Sequence, residues 1–273
     1  MIANLNIEAP AKVVQQRLWT RVIWLGIAGL LFWATFGTEL SIAKLISGFG
    51  ESQKLLFGTT ERPDSGFFPP DFTRGWVFID QMLLTVKMAI WGTVLAAMAA
   101  LPISILAAAN TAPNKVIYQI ARRILDVLRG LNEFVLALIF VAAVGLGPFP
   151  GILALAVHTT GVLAKLYAEA IEVVDTGQIE AVQASGANPI QVFTHAIFPQ
   201  IVPTVVSMTL YRFESNVRAA SVLGLVGAGG IGLFVTETMR SFNFKEASAV
   251  LIVILVAVFL VDFISAKIRA KLT

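Results

Sequence analysis

The sequence predicts an all-α, polytopic integral membrane protein with six transmembrane helices, and three observations carry that reading. Hydrophobic residues make up 57% of the chain and charged residues 14%, whereas a soluble globular protein carries about 25% charged residues. The mean hydropathy is +0.80. A soluble chain of 273 residues would need that missing polarity for its surface; a protein wrapped in lipid does not. The apolar residues also gather in separate stretches of a length suited to membrane helices.

The stretches run, in order, over Leu18–Phe36, Met82–Ala109, Asn132–Leu146, Gly151–Ala168, Ile201–Val226 and Ala249–Ala266. A polar segment with Lys12 and Arg17 precedes the first, and no small-residue cleavage site follows it. It reads as a retained helix and not as a removed signal peptide. The third and fourth are short for a full span of about 20 residues. Between them, Gly145-Leu146-Gly147-Pro148-Phe149-Pro150-Gly151 reads as a tight turn, because proline continues neither helix.

The basic residues orient the chain. With the N-terminus inside, the cytoplasmic stretches hold Lys12, Arg17, Arg21, Lys115, Arg122, Arg123, Arg129, Lys165, Lys267, Arg269 and Lys271. The external stretches hold Lys44, Lys54, Arg62, Arg74, Arg240 and Lys245. Eleven against six places both termini in the cytoplasm. The pI of 9.3 comes with a net charge of only +3, so it reflects this loop bias and points to no nucleic-acid partner. There are no cysteines, which excludes disulfides and thiolate metal sites. The chain divides into residues 1–80, with the first helix and the external loop Gly37–Gln81, and residues 81–273, a five-helix core. In the loop, Phe67-Phe68-Pro69-Pro70-Asp71-Phe72 cannot form a long helix. Its rings suit the headgroup layer or a contact for an external delivery protein.

Residues 169–200 are a polar, helix-compatible run on the cytoplasmic side. Asp175–Ile197 reads as one or two short helices, with Gly177 and Asn188-Pro189 as breaks. Glu180 near a helix start is favoured by the helix dipole, and Gly186 offers a surface to which another backbone can come close. Within this run, Glu180-Ala181-Val182 is followed after three residues by Gly186, and nine residues later by Ala196-Ile197-Phe198-Pro199. That spacing resembles the "EAA" loop of ABC-importer membrane subunits, the site where an ATPase pushes on a membrane channel. Glu180, Ala181, Gly186 and Pro199 match the pattern; Val182, Ala196 and Phe198 depart from it, apolar for apolar.

Several polar groups lie at membrane depth. Tyr211-Arg212-Phe213-Glu214-Ser215-Asn216-Val217-Arg218 carries three charges in an apolar stretch, where each costs about 3 kcal/mol on insertion scales. Glu214 and Arg218, four apart, are expected to pair on one helical face. That leaves Arg212 free to attract an anion, although Glu214 can also pair with Arg212. His158, beside Thr159 and Thr160, reads either as a helix–helix hydrogen bond or as a pathway residue. No second histidine lies near it, which argues against a metal site. Asn132 and Glu133 open the third stretch, and Glu133 is either capped near the surface or lines the path.

Gly227-Ala228-Gly229-Gly230-Ile231-Gly232 fits G-x-G-x-x-G formally. It sits at the end of a membrane segment and not between a strand and a helix, so a dinucleotide site is excluded. Gly227, Gly229, Gly230 and Gly232 read instead as a helix break or a gate. No G-x-x-x-x-G-K-[ST] occurs, so any ATP hydrolysis belongs to another chain.

From Phe67 onward the sequence is similar to the permease subunit of bacterial phosphonate ABC importers. The resemblance rests on Phe67–Phe72, Val144–Phe149, His158–Leu163 and Tyr211–Arg218 running on to Gly232. It implies a type I importer permease fold working by alternating access in the bacterial inner membrane. It implies as partners a second copy of the chain, two cytoplasmic ATPases that bind ATP and Mg, and an external substrate-binding protein. The implied cargo is phosphonate or a related phosphorus oxyanion such as phosphite. On that reading the translocation path runs past His158, Arg212, Glu214, Asn216 and Arg218. Importers of other small solutes share the EAA-like loop. A passive anion channel would not need that loop, and a membrane-embedded enzyme would need a nucleophile beside His158 or Glu214.

Overall fold

A computed structural model describes residues 11–38, 41–58 and 66–271. Arg62, counted above among the external basic residues, lies outside them. Every regular element among the described residues is helical. The chain forms two compact units, Met1–Leu55 and Leu56–Thr273.

The first unit holds α1 (Ala11–Thr35) and most of α2 (Ile42–Phe57). Trp19, Trp24, Leu25, Phe32 and Trp33 of α1 are all exposed. A helix that shows apolar side chains on every face belongs in lipid. Its apolar part, Trp19–Thr35, is shorter than a full span. Helix α2 lies within the stretch Gly37–Gln81 read above as a loop. Gly48, Gly50, Lys44, Glu51 and Lys54 interrupt its apolar residues, which hides it from a search for continuous apolar runs.

The second unit is built on α3 (Gly75–Ala107) and α6 (Pro148–Glu172), which pack along each other, with α9 (Phe198–Leu223) against both. Small residues permit this closeness. Ala89, Ala96, Ala100, Ala154 and Ala164 are fully buried. A Cβ on Gly92 would come within 2.8 Å of Leu155 Cβ, and one on Gly161 within 2.7 Å of Arg129 N. Membrane helices associate through such small-residue contacts, since lipid supplies no hydrophobic drive between them. Helices α4 (Lys115–Gly130) and α5 (Glu133–Val144) meet at an 85° bend. Helix α11 (Phe244–Arg269) packs on α9 and α3.

Among the described residues four helices are long and apolar enough to span, and a fifth span results if the bent α4–α5 pair crosses as one. The expected count of six is therefore not reproduced by length and composition alone. The expected turn Gly145–Gly151 is also shorter than predicted. Pro148 already opens α6, because the first turn of a helix needs no N–H from that position. Only Gly145 (φ 99°) and Gly147 (φ 135°) carry the reversal.

Candidate functional site

The α7–α8 segment starts from a fixed platform. Arg122 of α4 donates through Nη2 to both carboxylate oxygens of Glu172, each at 2.8 Å, and through Nε to Ala107 O at 3.1 Å. Ala109 N donates to Glu172 Oε1 at 2.7 Å, and Asn110 Nδ2 to Ile171 O at 2.7 Å. The ends of α3 and α6 and the middle of α4 are thus tied at one point. The chain then enters α7 (Thr176–Ala184), α8 (Pro189–Val192) and a π-helical turn, Phe193–Ile197, that runs into α9.

Asp175 caps α7 by accepting from Gly177 N at 2.9 Å. Two expectations change here: Gly177 lies inside the first turn, and Glu180 lies beyond it, outside the favourable reach of the helix dipole. Gly186 closes α7 at φ +82°, donating to Gln183 O at 2.9 Å. A Cβ there would meet nothing within 4 Å. Asn188 and Gln191 form a reciprocal capping box at 2.9 Å each way, with Pro189 in the first turn. Phe198 N reaches back to Phe193 O. That wider turn accommodates Pro199, which has no N–H to donate. Glu180, Ala181, Gly186 and Pro199 are all exposed, so the whole matched pattern is available at one end of the molecule.

Two ion pairs join α9 to α11, one of them made by the last residue of α11, Arg269. Glu214, almost buried, accepts from Arg269 Nη1 at 2.5 Å. Arg218 Nη1 donates to both oxygens of Asp262, at 2.9 and 3.0 Å. The expected Glu214–Arg218 pair is therefore not formed. Antiparallel α11 supplies Arg269 opposite Glu214 and Asp262 opposite Arg218, and each charge takes its partner across the helix interface. Asp262 was detectable as a lone acid within an apolar run; sequence reasoning missed it, and missed Arg269 as a partner. The Nε of Arg212 is buried without a hydrogen-bond partner.

The neutral polar groups act as clamps. Asn216 donates to Thr93 Oγ1 at 2.8 Å and accepts from Thr159 Oγ1 at 3.0 Å, linking α9 to α3 and α6. His158 Nδ1 donates to Leu131 O at 2.8 Å, and its Nε2 lies 3.5 Å from Glu133 Oε2. His158 thus pins the elbow between α4 and α5. Asn132 Oδ1 caps α5. Beside this elbow, Asn132, Glu133, Phe134, Ser215, Arg218, Ala219, Val222 and Leu223 line a cavity of about 560 Å³. Arg212 precedes Ser215 by one helical turn on the same stripe of α9.

The glycine loop sits at the opposite end from α7 and α8. It leads from α9 into α10 (Gly232–Arg240). Gly227, Gly229 and Gly230 all have φ between +76° and +85°. Gly147 N donates to Gly227 O at 3.0 Å, and Ile231 N to Thr85 Oγ1 at 2.9 Å. A Cβ on Gly229 would lie 2.8 Å from Pro148 N, and one on Gly232 2.4 Å from Ser221 O. The expected helix break is present, with the loop wedged against the starts of α3 and α6. Arg74 holds this end together, 3.6 Å from both Glu237 and Glu246 and stacked on Phe234.

A largely apolar helical chain with an exposed segment at one end that matches the EAA-like spacing points to the membrane subunit of a transporter. Residues 100–272 match the family described as binding-protein-dependent transport system inner membrane component, and the chain belongs to that family. It is a membrane-spanning permease and not an enzyme. The phosphite transport system permease protein PtxC of Stutzerimonas stutzeri is 44% identical over 201 residues, covering 74% of this chain and 73% of that protein. The phosphate-import permease protein PhnE of Mycolicibacterium smegmatis is 40% identical over 215 residues, 77% of this chain and 40% of that protein. Among solved structures, the inward-facing MetNI methionine ABC transporter superposes with a TM-score of 0.66 at 21% identity, over 74% of this chain and 99% of that one. That likeness establishes the ABC-importer permease fold.

Proposed function

We propose that this chain is the permease of an ATP-driven importer for phosphite or a related phosphorus oxyanion. The similarity to PtxC, a phosphite transport permease at 44% identity, carries the reading. Two copies of the chain form the channel, an external binding protein delivers the anion, and two cytoplasmic ATPases bind ATP and Mg. The end bearing α7 and α8 faces the cytoplasm, as do both termini, in keeping with the basic-residue bias. Glu180, Ala181, Gly186 and Pro199 form the ATPase contact. ATP binding draws the two α7–α8 segments together and turns the path outward; hydrolysis resets it. Among His158, Arg212, Glu214, Asn216 and Arg218, the unpaired Arg212 is the group that meets the anion. Glu214, Arg218 and Asn216 keep the wall of the path in shape. Gly227–Gly232 forms the outer gate.

Uptake by proteoliposomes holding the permease, its ATPase and the binding protein tests this. Phosphite accumulation that requires internal MgATP is expected. Uptake that proceeds without ATP would indicate a passive channel, and ATP-driven uptake of methionine but not phosphite would indicate another cargo.

A further inference from the structure

The cavity beside the α4–α5 elbow carries both signs of charge in its lining: Arg218, with Ser215, from α9, and Glu133 from the start of α5. Both charged side chains are held in place and both stay partly exposed. Asp262 engages Arg218 through Nη1 alone, and 44% of the Arg218 side chain is exposed. Glu133 Oε2 lies 3.5 Å from His158 Nε2, and 29% of the Glu133 side chain is exposed. His158 is anchored in turn, since Nδ1 donates to Leu131 O at 2.8 Å. The first turn of α5 also favours a carboxylate at this position. The contact with His158 uses Oε2, which leaves Oε1 to the cavity.

An oxyanion in this cavity meets a guanidinium whose fork suits its oxygens. It also meets a carboxylate, which can accept a hydrogen bond but not donate one. Two anionic oxygens brought together repel, and more strongly in a cleft of low dielectric than in water. The repulsion becomes a hydrogen bond when the oxyanion carries a proton of its own. Phosphite and phosphonates exist near neutral pH both singly protonated and fully ionised, whereas sulfate carries no proton. A site that pairs with a hydroxyl rejects an analogue lacking it.

We infer that Glu133 reads the proton on the cargo: it accepts a hydrogen bond from the P–OH of a singly protonated phosphorus oxyanion and turns away the fully ionised form. The proton stays on the cargo throughout. Glu133 is thus a specificity-determining residue, and His158 is the residue that positions it. The inference rests on the anion reading above and adds a contact to the one proposed for Arg212. The charged groups around Glu133 are His158 of α6 and Arg218 of α9, with Arg212 of α9 within electrostatic range.

Uptake of radiolabelled phosphite by proteoliposomes holding the permease, its ATPase and the binding protein tests it, measured from the acid to the alkaline side of the second ionisation of phosphite. Each variant is read as a ratio to the unaltered transporter, which cancels the pH response of the partners. The amide of Glu133→Gln can donate as well as accept, so this variant admits both forms of the cargo. Its ratio is expected to rise about tenfold from the acid to the alkaline side, the worth of one hydrogen bond to a charged group. Glu133→Asp keeps the carboxylate, and its ratio is expected to stay flat. A flat ratio for Glu133→Gln overturns the inference. Should that variant fail to assemble, Glu133→Ala is read in the same way. His158 titrates in the same range, so His158→Gln, which keeps a donor for Leu131 O, is the control. The loss of uptake at high pH is expected to remain in it. A loss that disappears in His158→Gln and persists in Glu133→Gln belongs to the imidazole and overturns the inference. Failure of the cargo reading looks different: the unaltered transporter then takes up no phosphite at any pH.

Discussion

The two ends of the second unit use glycine for opposite reasons. Gly186 ends α7 in a left-handed conformation with open space where a side chain would be. Gly229, at the other end, has nearly the same φ but lies against the backbone of Pro148. The first position asks only for a backbone angle. The second asks for the angle and for the absence of a side chain. An end built around exposed caps is suited to receiving a partner, and an end wedged into its own helices is suited to holding or gating the path. The same residue type, matched by motif in both places, therefore carries different physics.

The largest effect is expected where both demands coincide. Gly229→Ala places a methyl within 2.8 Å of Pro148 N in a conformation that side chains disfavour. Strain and overpacking together should cost about 3 kcal/mol. Thermal unfolding of the purified protein in detergent, with membrane yield, measures it. A variant as stable as the unaltered protein would show that the loop has room to move away from α6, and the contrast between the two ends would fail.

The fold was legible where lipid dictates composition and illegible where packing dictates register. The spans over α3, α6, α9 and α11 were visible because a helix bathed in lipid must be apolar over a long run. Helix α4 was missed because its apolar residues, the exposed Val116, Ile120, Ile124 and Val127 and the buried Ala121 and Leu125, are interrupted by charged positions. That pattern shows up at helical spacing and not in a window average. The partners of Glu214 and Arg218 could not be read, because helical neighbours four apart compete with groups on α11 that only the packed structure brings alongside. The coupling motif was legible as spacing. Its cap was not: Asp175 and Glu180 are both acids near the start of α7, and only the backbone shows which one meets the free N–H groups.

An intermediate effect on stability, with a larger one on transport, is expected at the open end. Gly186→Asp meets no atom, so the fold should lose only about 1 kcal/mol from the backbone angle. Transport should fall about tenfold or more, because the new charge would be buried without a partner at the proposed ATPase contact. Gly186→Asn has similar size and a similar tolerance for the left-handed angle, so it separates charge from conformation. Cell uptake with membrane levels checked by blotting decides the matter. Normal uptake in both variants would remove Gly186 from the contact surface.

The smallest perturbation sharpens the comparison most, because it asks which end faces which compartment. The chain has no cysteine, so a single introduced thiol reports alone. Gln183 lies on exposed α7, and Ser241 is exposed at the far end between α10 and α11. Neither side chain is buried, so replacing each by cysteine should change stability by no more than about 0.5 kcal/mol. The basic residues around α4 and the end of α11 favour the α7 side as cytoplasmic. Gln183→Cys is therefore expected to react with a membrane-impermeant thiol reagent only in inverted vesicles, and Ser241→Cys only in intact right-side-out cells or spheroplasts. Opened membranes should label both, which confirms that each thiol is accessible. The reverse pattern would put the matched coupling motif outside the cell, beyond the reach of a cytoplasmic ATPase, and would leave the glycine-wedged end as the one facing ATP.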